Sequence, residues 1–397
     1  MDEGEPASRT VAAERLTDRV ARASDGAGTE SVALARAGGR VLAAAVTAPA
    51  DVPATDRATM DGYAVAAADD GPRRVAGAVF PEDDPPDLAP GEAVEVATGA
   101  PLPARADAVV MREDATVADG RLAGPPVAPG TNVYPAGATA AAGERLFEAG
   151  RRLAPRHAAL LRDVGVGTVE VRRPLSVAVL ATGTEIYEGR QPDRDSEMLC
   201  NLVRRWGHRP VRADAVPDDS AAVRQAIETA AADHDLVVTT GGTSVGRADH
   251  VVDVLREHDL AFRGVALRPG RPVAAATVDG TPVCALPGKP IAAHVAATLV
   301  LRPALAGSVR LPTVTADLAA RVTLPDADLE YAIPVTLDDG ATPLGHADSS
   351  FPLYGEQFAP GRVASSTRVA LADGLLLTRT AIEAGADIEV VPYEVVE

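Results

Sequence analysis

Apolar positions along the chain fall into three rhythms, and each predicts a different local structure. Between residues 10 and 23, Val11, Leu16 and Val20 recur at intervals compatible with one face of a short amphipathic helix. Residues 31–45 continue as an element of small residues punctuated by glycine. From about residue 66 to residue 143 the pattern changes to short alternating runs. These are cut by Pro85-Pro86, Pro90-Gly91, Asp119-Gly120 and Pro129-Gly130, the turn signals of a β-rich insertion. The third rhythm fills residues 174–307, where apolar runs at 175–180, 236–238 and 283–286 alternate with helical patterns at 198–206, 221–231, 251–258 and 291–305. Strand, loop and helix in repetition predict a doubly wound α/β domain, because a parallel strand needs a crossover to return to the same edge. After Pro312 short strands with Gly and Pro turns resume through Glu397.

The expected fold class is therefore multidomain α/β plus β. An N-terminal scaffold takes residues 1–65 and 144–173, a β-rich insertion 66–143, the α/β domain 174–308, and a C-terminal β domain 309–397. A length of 397 residues agrees, since it exceeds what one hydrophobic core organises.

Composition removes several classes of function. Apolar residues make up 46% of the chain, yet no uninterrupted run approaches the roughly 18 residues of a membrane span. Residues 1–10 mix Asp2, Glu3, Glu5 and Arg9 and do not read as a signal peptide, so the expected location is the cytoplasm. A net charge of −18 argues against binding nucleic acid through its phosphates. The two cysteines, Cys200 and Cys284, are far apart and outline neither a disulfide framework nor a zinc site. The seven histidines form no metal-binding helix pattern. The 38 basic residues include a single lysine, Lys289; with the acid excess this is the composition of a surface suited to concentrated salt.

Candidate chemistry lies at the carboxyl ends of the predicted parallel strands, where open α/β sheets bind ligands. Thr182-Gly183-Thr184-Glu185 follows the first strand. Thr239-Thr240-Gly241-Gly242-Thr243-Ser244-Val245-Gly246 follows the second and precedes Asp249. Leu286-Pro287-Gly288-Lys289-Pro290 follows the third and leads into a helix. Singly, each loop reads equally well as an ordinary βα connection; together they predict one crevice. Its chemistry is mixed. Backbone amides, Ser244, Arg268, Arg271 and Lys289 suit a phosphate or another oxyanion, whereas Glu185, Asp218 and Asp249 repel one unless a divalent cation intervenes. Phosphate plus Mg²⁺ satisfies both sets. Lys289 and the two arginines also fit a role as solvated surface charges, and Asp61 in Met60-Asp61-Gly62-Tyr63 fits that of a turn carboxylate.

Six segments in fixed order carry a specific resemblance. They are Met60-Asp61-Gly62-Tyr63-Ala64, Thr98-Gly99-Ala100-Pro101-Leu102-Pro103, Ala106-Asp107-Ala108-Val109-Val110, Thr182-Gly183-x-Glu185, Thr240-Gly241-Gly242-x-Ser244-Val245-Gly246-x-x-Asp249 and Leu286-Pro287-Gly288-x-Pro290. With them the chain resembles the MoeA-type molybdopterin molybdenumtransferases, a family that includes the C-terminal domain of gephyrin. The resemblance implies a MogA-like α/β domain in a homodimer, with Asp61 and Thr98 reaching the crevice across the subunit interface. It implies adenylylated molybdopterin and molybdate as substrates, AMP as a product and Mg²⁺ as the assisting cation. By motif, Asp61, Glu185, Asp218 and Asp249 take the catalytic places, the last three at the metal. Thr98, Thr182, Gly183, Gly241, Gly242, Ser244, Gly246, Arg268, Arg271, Pro287, Gly288, Lys289 and Pro290 bind the cofactor.

The chain departs from the family at Tyr134 and Thr139, where an arginine and an acid are usual, at Thr184 for an aspartate, at Glu197 for an asparagine, and at Lys289 for an asparagine. These changes leave open a tungstate-preferring enzyme or a non-catalytic pterin-binding paralogue or scaffold. A nucleotide pyrophosphatase built on a related α/β domain is a third reading, which the Met60-Asp61-Gly62-Tyr63 segment counts against.

Overall fold

The computed structural model describes residues 5–242, 249–325 and 328–397. Two compact units emerge, one of residues Thr29–Arg172 and one in which Met1–Gly28 joins Arg173–Glu397.

In the second unit the α/β rhythm produces a six-stranded sheet. Its order is Arg209–Arg212, Ser176–Ala181, Leu236–Thr240, Thr281–Leu286, Ala274–Val278, Asp259–Arg263. The first four strands run parallel, Ala274–Val278 runs against them, and Asp259–Arg263 pairs antiparallel with Ala274–Val278 and so runs with the first four. Strand Leu236–Thr240 is buried along its whole length, which is why the sequence there is a continuous apolar run rather than an alternation. One face is covered by the helices Ser220–Asp233 and His250–Leu255, which bury Val223, Ile227, Val251 and Leu255. Asp219 caps the first of these by accepting from the Ala222 amide at 2.9 Å.

The other face is covered by the helix Arg9–Ala27, whose Ala12, Leu16 and Val20 enter the same core as Leu286 and Val300. This corrects the expectation that residues 1–65 form one scaffold. The apolar stripe of the first helix is matched by the α/β core, and Arg9 fastens it further through an ion pair with Glu330 at 2.6 Å.

The C-terminal strands are likewise not an independent layer. Tyr331, Phe358, Leu375 and Val390 share the core that contains Leu286. Leu267–Arg268 pairs in parallel with Glu330–Leu337, so Arg268 sits where the two β systems are stitched together. The helical pattern at 291–305 is realised in three pieces, Pro290–Ala296, a π-helical turn at Ala297–Leu301 and Arg302–Ala306. Pro303 cannot donate a backbone hydrogen bond there, which accounts for the irregular turn before it.

In the first unit a six-stranded sheet takes the order Ala108–Met111, Gly62–Val65, Glu92–Val96, Arg73–Val79, Arg121–Ala123, Thr116–Ala118. The boundary expected at residue 66 moves to include Gly62–Val65, because Ala64 and Val65 are fully buried in the sheet. The scaffold part pairs Thr29–Ala33 antiparallel with Thr168–Arg172 over Leu42, Leu161 and Val171. Among the described residues no helix is long and apolar enough to cross a membrane.

Candidate active site

The strand order places the chain's reversal between Ser176–Ala181 and Leu236–Thr240, since the strand that follows the first lies on its other side. Loops leaving a sheet at such a point diverge and open a crevice. Here a cavity of about 1090 Å³ opens there, within the second unit.

The three sequence-identified loops interlock at its floor. The Thr182 amide donates to the Thr240 carbonyl at 2.9 Å, and the Gly241 amide donates to the Leu286 carbonyl at 3.3 Å. A side chain on Gly241 would place its Cβ 2.3 Å from the Thr182 carbonyl oxygen, and one on Gly288 would stand 2.8 Å from the Gly241 Cα. Gly241 also has φ +90, a conformation L side chains rarely adopt. The glycines thus let three backbones meet with nothing between them.

The acids line the cavity unequally. Glu185 is half-buried on the first loop. Asp218 is tied to that loop reciprocally: the Thr184 amide donates to Asp218 Oδ2 at 3.1 Å and the Asp218 amide donates to Thr184 Oγ1 at 3.0 Å. Asp249 precedes the helix His250–Leu255 without capping it. Its Oδ2 lies 3.4 Å from Arg263 Nη2, while Oδ1 is buried without a partner. Burial pushes the Asp249 carboxyl above its usual range, against the pull of Arg263.

Of the cations, Arg268, Arg271 and Lys289 all line the cavity, and Arg268 Nε is buried with no partner. Lys289 is exposed and donates to Ser365 Oγ at 3.1 Å. Thr182, Gly183, Gly242 and Pro287 line the cavity as well. Pro290 begins the helix behind the third loop. Ser244 and Gly246 lie outside the described residues.

Asp61 and Thr98 come together in the first unit. The Thr98 amide and hydroxyl each donate to Asp61 Oδ1 at 2.7 Å, which holds the exposed carboxyl below its usual range.

Two residues here were given no role from the sequence. Asp195 lines the cavity and is only 6% exposed, and Arg263 pairs with Asp249. Burial pushes the Asp195 carboxyl up, with Thr240 opposing. The available signal for Asp195 was its place in Asp195-Ser196-Glu197, the segment that matches the family's Asp-Ser-Asn element.

Comparison with known proteins agrees with this architecture. Residues 8–165 match the MoeA N-terminal region, domains I and II, and residues 178–307 match a probable molybdopterin binding domain. The molybdopterin molybdenumtransferase of Haemophilus influenzae is 31% identical over 296 residues, 70% of this chain and 72% of that protein. The one from Synechococcus elongatus is 35% identical over 303 residues, 70% of this chain and 74% of that protein. A MoeA structure from Pyrococcus horikosii superposes with a TM-score of 0.73 at 30% identity, covering 95% of this chain and 98% of that one.

The chain belongs to the MoeA family of molybdopterin molybdenumtransferases.

Against the family pattern, the structure gives several departures a local role. Thr184, where MoeA proteins usually carry an acid, closes the hydrogen-bonded pair with Asp218. Tyr134 and Thr139 meet through their hydroxyls at 3.0 Å. Glu197 lies 3.7 Å from Arg212.

A divalent cation, as the MoeA resemblance implies, fits the donor set. Among the described residues no three His, Cys, Asp or Glu side chains form a ready cage. Mg²⁺ does not require one, because it binds through one or two carboxylates together with substrate phosphates and water. Asp249, whose Oδ1 lacks a partner, and the cavity-lining Glu185 would be the carboxylates to hold it, while Asp218 has one oxygen already committed to Thr184.

Proposed function

We propose that the cavity binds adenylylated molybdopterin and molybdate, and that the enzyme transfers molybdenum into the pterin dithiolene with release of AMP. The observation that carries this reading is the convergence of three amide-rich turns on one cavity with cations and carboxylates along its wall. Arg268, Arg271 and Lys289 grip the phosphate oxygens, and loop amides add donors fixed in place by the interlocked glycines. Glu185 and Asp249 would hold Mg²⁺ together with the substrate phosphates and water, and the ion would supply charge neutralisation at the phosphoanhydride. The protein's own contribution is to orient the pterin phosphate against molybdate and to exclude water from the floor. We further infer a cytoplasmic homodimer in which Asp61 and Thr98 of one copy serve the cavity of the other.

The test is an AMP-release assay with adenylylated molybdopterin, run with molybdate, with tungstate and without either. Release that requires an oxyanion and stops on chelation of Mg²⁺ is expected. Tight binding with no AMP would instead make the protein a binding scaffold, and the relative rates with the two oxyanions assign the metal preference.

Because Lys289 is the single lysine, an amine acylating reagent has one ε-amine to modify. Pyrophosphate or the adenylylated pterin is expected to protect it, as read by mass spectrometry, and Lys289→Ala to raise KM about tenfold, the value of one charge-assisted hydrogen bond. Labelling indifferent to ligand would return Lys289 to the surface.

A further inference from the structure

The Thr240 hydroxyl sits at the carboxyl end of the central strand, 2% exposed, with two oxygens in reach: Asp195 Oδ2 at 2.8 Å and the Pro287 carbonyl at 3.1 Å. A hydroxyl has one proton to give, and a carboxylate and a carbonyl can only accept. Both contacts are satisfied together if the Asp195 carboxyl keeps its own proton and donates to Thr240, which then donates to Pro287. The surroundings favour that arrangement. Asp195 is 6% exposed, its Oδ1 is buried without a partner, and an unpartnered oxygen costs far less on a neutral acid than on a carboxylate.

We propose that Asp195 is a positioning residue that acts as a neutral acid through Thr240 to latch the Pro287 carbonyl. It thereby sets the placement of Gly288 and Lys289 at the anion-binding wall of the cavity. The latch joins the start of the helix Ser196–Arg205 to the second and third loops, which otherwise meet through the Gly241 amide and the glycine contact. Burial raising the Asp195 carboxyl agrees with it. The charged groups around the latch are few. Asp193 and Arg194 flank Asp195, and Arg212 of the neighbouring strand pairs with Asp193 and lies near Glu197. Glu185, Asp218 and Lys289 line the same cavity.

The proposal uses the function given above to choose its ligand, and its test separates the two. KM and kcat for AMP release are compared in Asp195→Asn, Asp195→Ala and Thr240→Val. Asparagine can donate to Thr240 as the neutral acid does, so Asp195→Asn is expected to stay near wild type. The other two are expected to raise KM about tenfold, the value of one hydrogen bond, with little change in kcat. As pH climbs above the ordinary aspartate range, the wild-type KM is expected to rise more than that of Asp195→Asn, as ionisation opens the latch. Equal losses in Asp195→Asn and Asp195→Ala, or parallel pH profiles, would overturn the proposal.

A second readout needs no substrate. A carboxyl raised on folding makes the native state lose stability as pH climbs from the unfolded aspartate range toward the folded value. Asp195→Asn is therefore expected to melt above wild type near neutrality, with the gap closing below about pH 4. If this gap appears while the wild-type protein releases no AMP, the functional reading fails and the neutral acid stands. If no gap appears, the latch fails whatever the activity.

Discussion

Gly241→Ala is expected to abolish turnover and to lower the melting temperature of the unit that contains it by on the order of 5–10 °C, as followed by calorimetry and AMP release. Two costs add. The residue holds φ +90, and its new Cβ would lie 2.3 Å from the Thr182 carbonyl oxygen and 3.0 Å from Thr182 Oγ1. Left-handed strain costs about 1–3 kcal/mol and forced overpacking another 1–3 kcal/mol. Neither neighbour can retreat easily, because Thr182 is hydrogen-bonded to Thr240 and Gly288 already stands against the Gly241 Cα. A variant with wild-type melting and activity would mean that the three turns are not locked together and that the cavity owes its shape to something else.

Asp249→Asn is expected to reduce AMP release about 10²–10³-fold, the loss typical of removing one charge-stabilising group from a catalytic site. The fold should not suffer. The carboxyl is raised by burial, so its charge opposes folding once the pH exceeds the ordinary aspartate range, and the amide removes that opposition. The melting temperature should therefore equal or exceed wild type near neutrality, with the difference shrinking as pH falls toward about 4. Mixing this variant with Asp61→Ala gives a further readout. If the two residues serve the same cavity from different copies, heterodimers contain one cavity with both groups intact, and part of the turnover returns. Wild-type turnover in Asp249→Asn would remove that carboxylate from the mechanism.

Much of the α/β domain was legible because its signals are local. Continuous apolar runs before Gly-rich turns identified Ser176–Ala181, Leu236–Thr240 and Thr281–Leu286, and their carboxyl ends identified the binding loops. Domain boundaries were less legible because they depend on which apolar face meets which. The spacing of Val11, Leu16 and Val20 states that the first helix is buried on one side, but the buried positions are Ala12, Leu16 and Val20 with Val11 exposed, and nothing in the spacing names the α/β sheet as the partner. The short strands after Pro312 likewise read as a β domain of their own, whereas Tyr331 and Phe358 share a core with Leu286. At the site, Asp195 was legible as part of a family segment but not as a site residue, because its significance is burial, 45 residues in sequence from the threonine it touches. Thr184 was read as the loss of an acid, whereas its hydroxyl and amide organise Asp218.

The cavity's cations belong to a chain whose net charge is −18. A phosphorylated substrate arriving from bulk water meets overall repulsion before it meets Arg268, Arg271 or Lys289. Dissolved ions act differently on these two stages. At about 1 M salt the Debye length contracts to about 3 Å, which cancels distant repulsion while sparing contacts made inside a recess. Capture here thus works at touching distance rather than by long-range attraction, and brine clears the approach.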